Sequence, residues 1–326
     1  MIDKNRIFSI GSKAEFEDVA LKVFKFQFEN NPVYRSFCDL LLRHPSDINT
    51  LADIPFLPIQ FFKSRSILSS PSKIQGTFIS SGTTGSQTSK HHLTDLSIYE
   101  TSFRRGFSHF YGNIKEYTIL ALLPNYLERK GSSLVYMVND MIKQSNRPES
   151  GFYLNNLSEL KEQLIKLDES ERKVILIGVS FALLDLVELH QFQLKHTIVI
   201  ETGGMKGRRK ELVREELHQI LGEGFGVKAI YSEYGMTELL SQAYSRGKGK
   251  FECPPWMRVL TRETEDALKI LSNCKTGGIN VIDLANLNSC AFLATQDLGK
   301  VYHDQSFEVI GRFDNSDIRG CNLMAL

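Results

Sequence analysis

Five stretches combine residue types that could do chemistry. "ISSGTTGSQTSKHH", from Ile79 to His92, is nearly all glycine and hydroxyl, with Lys90 and two histidines at its end. Such a loop can bring backbone N–H groups to an anion, its hydroxyls add donors, and Lys90 could add a point charge for phosphate. The spacing G-x-x-x-x-G-K-[ST] is not met, so it is not a Walker A loop. The alternative is a flexible polar turn, with His91 and His92 either on substrate or solvated.

"YSEYGMTELLSQAY" begins at Tyr231. Tyr234, Gly235, Thr237 and Glu238 sit together; Tyr234 offers a flat face for a base and Glu238 a hard oxygen ligand suited to magnesium. The alternative is a strand end that caps a helix, with Thr237 as N-cap and Glu238 on the helix dipole. "ETGGM" at Glu201–Met205 supplies Gly203 and Gly204 for close approach to a flat ligand, or for an ordinary strand-to-helix turn. In "ATQDLGKV", Asp297 in a turn could accept two ribose hydroxyls, or be solvated. Arg312 in "GRFD" could hold phosphate or ribose, or a surface carboxylate. The chain ends "GRFDNSDIRGCNLMAL", with Cys321 close to the end.

The elements that must position these residues follow from periodicity. "EFEDVALKVFKFQFENNPVYRSFCDLLLRH" has apolar spacings of three and four, with "NNP" separating two helices. "DIPFLPIQFFKS" reads as an ordered connection. Strand and helix then alternate: "GTFISS", "YTILALLP", "KVILIGVS", "HTIVIET" and "GVKAIYSEYG" as strands, and "GSSLVYMVNDMIKQ", "FALLDLVELHQFQL" and "RRKELVREELHQIL" as helices. Continuous apolar strands with helical crossovers imply a mostly parallel sheet buried on both faces. "GGINVIDL", "CAFLATQDLGKVYH" and "SFEVIGRF" read as β-rich segments joined by tight turns. The expectation is a single α/β body: a helical part over 1–76, an α/β core over 77–250, a small β-rich part over 251–312 and a tail over 313–326.

Composition bounds the function. With 39 Lys+Arg against 38 Asp+Glu, the charge of +1 gives no field for nucleic acid. No stretch approaches the ~20 apolar residues of a membrane helix, and the first residues lack a signal-peptide pattern. Five scattered cysteines without metal spacing read as free thiols, which fits a cytoplasmic protein.

The glycine–hydroxyl loop, Gly-Gly turn, Tyr-Gly-x-Thr-Glu, aspartate and Gly-Arg-x-Asp occur in that order. The set resembles the adenylate-forming superfamily of acyl-CoA synthetases, peptide-synthetase adenylation domains and luciferases. The resemblance implies that family's N-terminal-domain fold, mostly parallel sheets layered with helices plus a small β-rich subdomain. It implies ATP and Mg²⁺ as cofactors and a small-molecule carboxylic acid as substrate. Ser81, Gly82, Thr83, Thr84 and Gly85 would hold the outer phosphates, with Lys90 loosely matched to the family lysine. Gly203, Gly204 and Tyr234 would sandwich adenine, with Gly235 also in the ATP site. Thr237 and Glu238 would serve phosphate and Mg²⁺, and Asp297 would bind ribose with Arg312 beside it. The sequence departs at "SQTSKHH", where the family has a proline-lysine-glycine step, and at Thr295-Gln296-Asp297, where it has Thr-Gly-Asp. The superfamily's mobile C-terminal lid, roughly a hundred residues, is expected to be absent.

"GRFDNSDIRGC" with its short apolar tail is similar to the acyl-protein synthetases of bacterial bioluminescence and their relatives. That resemblance implies Cys321 as acyl acceptor, a fatty acid as substrate class, and a partner reductase or acyltransferase that takes the acyl group. An extended tail from Asp314 to Cys321 reaches ~23–25 Å, and Arg319 nearby favours the thiolate. Cys38, Cys253, Cys274 and Cys290 read as packing or incidental thiols. Two rivals stand beside this expectation. One passes the acyl group to coenzyme A or a carrier protein. The other is a degenerate nucleotide-binding protein that regulates or scaffolds.

Overall fold

A computed structural model describes residues 2–81, 87–124, 131–203 and 212–312. The chain divides into two compact units. One comprises Met1–Ser102, Glu238–Ser241 and Glu252–Leu326; the other comprises Phe103–Thr237 and Gln242–Phe251.

The first unit begins with the two expected helices, Lys13–Asn30 and Pro32–Leu40. Ser12 caps the first by accepting from the Glu15 N–H, while Glu15 accepts from Gly11 at 2.8 Å. Asn31 ends that helix and caps the second, accepting from the Tyr34 N–H, with Pro32 at the first helical position. Phe16, Val19, Val23, Phe24 and Phe28 are buried, each contributing about 1.5–3 kcal/mol by removal from water. Phe24, Tyr34 and Phe56 all pack around the Phe292 ring. Buried Gln27 donates to the carbonyls of Asn286 and Leu287, both at 2.9 Å, and accepts from Ala291, so the helix is tied to the C-terminal half of the unit.

That half is an antiparallel sheet in which Met257–Arg262, Thr276–Asp283, Phe292–Val301 and Phe307–Arg312 pair in order. Leu57–Pro58 adds a short parallel pairing to Phe292–Val301. The β-rich reading of this region holds, with one correction: Asp297 lies inside the strand Phe292–Val301, not in a turn. Gln296-Asp297 with Gly299 following resembles turn chemistry, but the register shifts at Gly278/Asn280 and Leu298/Gly299 show bulges instead. A second correction concerns Lys90. Lys90–Leu93 is a strand that pairs with Gly76–Ile79, so Lys90 sits opposite Ile79 rather than in the loop.

The second unit is built on a parallel sheet. Gly151–Phe152, Thr118–Leu122, Val174–Val179, Thr197–Thr202 and Tyr231–Tyr234 are neighbours in that order, all parallel. Thr118–Leu122 and Val174–Val179 are buried throughout, as their apolar runs require. Helices Ser133–Ser145, Leu157–Glu169, Ser180–Leu189 and Arg214–Phe225 make the crossovers. Buried Asp168 fixes the start of Thr197–Thr202 by accepting from Lys195 N, His196 N (2.8 Å) and Thr197 Oγ1. The helix read over "FALLDLVELHQFQL" stops at Leu189. Beyond it, Phe192 and Leu194 donate to the carbonyls of Gly224 and Phe225 instead of continuing the helix. The helix read over "RRKELVREELHQIL" is seen from Arg214; 208–211 lie outside the described residues. No helix follows Tyr231–Tyr234. The chain turns and returns as Ala243–Ser245, antiparallel to it, which removes the helix-capping alternative for Thr237.

Candidate functional site

In the first unit, Glu238 sits in the short Glu238–Ser241 stretch, whose backbone is held by a buried acid. Asp283 accepts from the N–H groups of Leu240 (2.8 Å) and Ser241 (2.9 Å) and from Ser241 Oγ. Trp256 Nε1 donates to the same hydroxyl at 3.0 Å. Asn286 Nδ2 donates to the Glu238 carbonyl at 2.8 Å, and its Oδ1 accepts from Leu240. Glu238 is only 7 % exposed. Burial pushes its pKa above the usual carboxylate value, against a hydrogen bond from Ser89 and the charges of Arg312 and Lys63. Ser89 is itself buried and anchored by donation of its N–H to Ser80 Oγ at 2.9 Å.

Asp297 stands directly opposite Arg312 in the strand register. The Arg312 Nε lies 3.5 Å from Asp297 Oδ1, the arginine largely exposed and the acid buried. Arg312 is therefore an electrostatic neighbour of both Glu238 and Asp297. Ser81 is exposed. Gly82, Thr83, Thr84 and Gly85 lie outside the described residues, as do Gly204 and Cys321.

The two histidines differ: His91 is buried and His92 half-buried. His91 is buried, with its Nε2 2.8 Å from Ser289 Oγ and Phe62 edge-on to its ring. His92 shares a 2.9 Å hydrogen bond with Thr77 Oγ1, and burial and Lys90 lower its pKa. Cys38 and Cys290 are buried packing thiols, and burial pushes Cys38 up to about 12. Cys253 is half-buried and Cys274 exposed.

In the second unit, Gly203 ends the strand Thr197–Thr202 with φ +56°, a conformation that favours glycine. Thr202 Oγ1 donates to Glu233 Oε2 at 2.6 Å. A Cβ at Gly235 would stand 2.3 Å from Glu233 Oε1, so a larger residue there would displace the Glu233 carboxyl. Tyr234 is buried, with Phe251 edge-on at 5.9 Å. Thr237 is half-buried. Beneath the strand ends, Glu201 accepts from Ser180 at 3.1 Å and lies 3.6 Å from His218 Nε2. Burial opposes its charge, but His218, Arg214 and Ser232 outweigh burial and hold its pKa low.

Ser89, Asp283 and Lys63 join this account only in three dimensions. Ser89 lay within the quoted glycine–hydroxyl loop, so its type was a signal. Asp283 is more than forty residues from the backbone it holds, and no local pattern announces it.

The family model described as acyl-protein synthetase, LuxE, matches residues 9–325. No curated protein matches the chain significantly. Among solved structures, ATP-bound MatB from Rhodopseudomonas palustris aligns at 16 % identity and TM-score 0.55, covering 74 % of this chain and 49 % of that one. An open 2-hydroxyisobutyryl-CoA ligase, in complex with 2-HIB-AMP and CoA, aligns at 13 % identity and TM-score 0.66, covering 97 % and 76 %. The chain thus spans about half the length of MatB. These likenesses give the fold, that of the adenylate-forming ligases, as the sequence led us to expect. No described helix is long and apolar enough to cross a membrane. By the match over nearly its whole length, the chain belongs to the acyl-protein synthetase, LuxE, family.

Proposed function

We propose that the protein activates a carboxylic acid, of the fatty class, with ATP and carries the acyl group on Cys321. The observation that best supports this is Glu238: a buried carboxyl on a turn fixed by Asp283 and Asn286, hydrogen-bonded to Ser89 of the Ile79–His92 stretch. Among the described residues no three His, Cys, Asp or Glu side chains cluster as a metal cage. A lone buried carboxylate suits Mg²⁺, which keeps most of its shell as water and substrate phosphate. When bound, Mg²⁺ would neutralise charge on the phosphates.

In the proposed first step, an oxygen of the substrate carboxylate attacks the α-phosphorus of ATP. The bond from that phosphorus to the leaving pyrophosphate breaks, giving acyl-AMP. In this reading Arg312 and Lys90 would offset the charge that develops. Asp297 accepts the ribose hydroxyls, and Gly203, Gly204 and Tyr234 enclose adenine. In the second step the Cys321 thiolate attacks the acyl carbon, the C–S bond forms, and the C–O bond to AMP breaks. A reductase or acyltransferase then takes the thioester.

Carboxylate-dependent exchange of labelled pyrophosphate into ATP tests the first step. Exchange with a fatty acid supports the reading; no exchange with any acid points to a regulatory nucleotide-binding protein. If exchange occurs but acyl transfer requires coenzyme A or a carrier protein, those acceptors replace Cys321.

A further inference from the structure

Arg262 is a buried cation that no step above uses. Only 6 % of it is exposed, although placing a guanidinium in a sheet is costly unless its donors are met. Its Nη1 donates to the carbonyl of Ile279 (2.8 Å) and to Asn280 Oδ1 (2.7 Å), and its Nη2 donates to the carbonyl of Thr295 at 2.6 Å. These acceptors sit where the sheet is irregular. Gly278 pairs with Leu298, but Asn280 pairs with Ala294. Ile279 therefore faces a three-residue bulge, Thr295 to Asp297, on the neighbouring strand. Thr295 Oγ1 also donates to Ile279 O at 2.9 Å and accepts the Asp297 N–H at 3.1 Å. Gly278 leaves the space that the guanidinium fills, since a Cβ there would come 2.7 Å from Cζ. Bulges commonly re-aim a side chain, and the side chain at the end of this one is Asp297.

We propose that Arg262 is a positioning residue: its planar fork bridges the carbonyls of Ile279 and Thr295, props the bulge open and so aims the Asp297 carboxylate at the nucleotide. The inference rests on the ribose reading of Asp297 given above. Burial lowers the Arg262 pKa to about 10, and the Asp297 charge opposes that shift by favouring the charged form. Lysine carries the same charge but cannot present two donors in a fixed plane to two carbonyls.

Three variants of the full chain test this: Arg262→Met, Arg262→Lys and Gly278→Ala, the last keeping every donor but crowding the guanidinium. Each is assayed by pyrophosphate exchange and by the rise in melting temperature that ATP produces, a binding readout independent of turnover. Arg262→Met should raise the ATP KM about tenfold, the loss of one well-aimed charge-assisted contact, and leave the carboxylate KM unchanged. The other two should raise the ATP KM by smaller factors, and the ATP-dependent melting shift should shrink in parallel. A merely structural role would lower the melting temperature and the active fraction without separating the two KM values. A folded variant of any of the three with wild-type ATP KM and melting shift overturns the proposal. Asp297→Asn serves as the control. If it leaves ATP binding intact, the ribose reading has failed; if it weakens ATP binding while the Arg262 variants do not, only the positioning role has failed.

Discussion

The two units handle polar groups in opposite ways. In the parallel sheet of the second unit, strands such as Val174–Val179 are buried and apolar along their length, and the candidate residues Gly203 and Tyr234 appear where strands end. In the antiparallel sheet of the first unit, Arg262, Asn280, Asp283, Thr295 and Asp297 are buried within the strands themselves. A parallel sheet covered on both faces has no room for charge except at its ends. The antiparallel sheet admits charge where bulges free backbone carbonyls to meet it. Its polar residues therefore hold one another in place, and removing one strands several partners.

The sharpest way to break that contrast is at Asp283. Asp283→Ala leaves the N–H groups of Leu240, Ser241 and Ala285 without their buried acceptor. We expect a loss of about 3–5 kcal/mol, measured by urea unfolding. A loss no greater than that of a surface substitution would mean that the polar interior of this sheet is not cohesive. Asp283 carries a further sign. Burial raises its pKa to about 6, against bonds from Ser241, Leu240 and Ala285. The folded protein therefore holds a proton that the unfolded chain releases, and stability should fall as pH rises from about 4 to about 6.

Next in size is Glu238→Gln, which keeps the shape of the side chain and removes its charge. Pyrophosphate exchange should fall about 10²-fold or more, with the circular dichroism spectrum unchanged. Near-normal exchange would remove the metal assignment. Because burial raises the Glu238 pKa, the acid limb of the activity profile should lie above the ordinary carboxylate range of about 4.3. In Glu238→Gln any residual activity should lack that limb.

A smaller effect is expected at Asp297. Asp297→Ala should raise the ATP KM about tenfold while leaving the carboxylate response unchanged, as loss of ground-state binding does. An unchanged ATP KM would mean that the acid does not bind the nucleotide.

The contrast also explains what could be read from the sequence. The parallel strands were legible because their burial leaves a continuous apolar run, as in "KVILIGVS". The helix break at Asn31-Pro32 was legible because capping is local chemistry. The turn after Tyr234 was not. "TELLSQAY" has the polar start and apolar spacing of a helix, but Asp283 captures the backbone N–H groups that a helix would use. Lys90–Leu93 was missed because "KHHL" has little strand character, while burial of His91 against Phe62 and Ser289 holds it there. Asp297 was found as a candidate by motif order, yet its place in a bulge depends on Arg262 from another strand.

The measurement closest to the central claim is intact-protein mass spectrometry after incubation with ATP, Mg²⁺ and a fatty acid that supports exchange. The wild-type chain should gain one acyl group that hydroxylamine removes, and Cys321→Ser should gain none while still exchanging pyrophosphate, because a serine hydroxyl without an activating base is a far poorer nucleophile than a thiolate. A wild-type chain that exchanges pyrophosphate but never carries the acyl group, or a Cys321→Ser chain that carries it as well as wild type, would contradict the account.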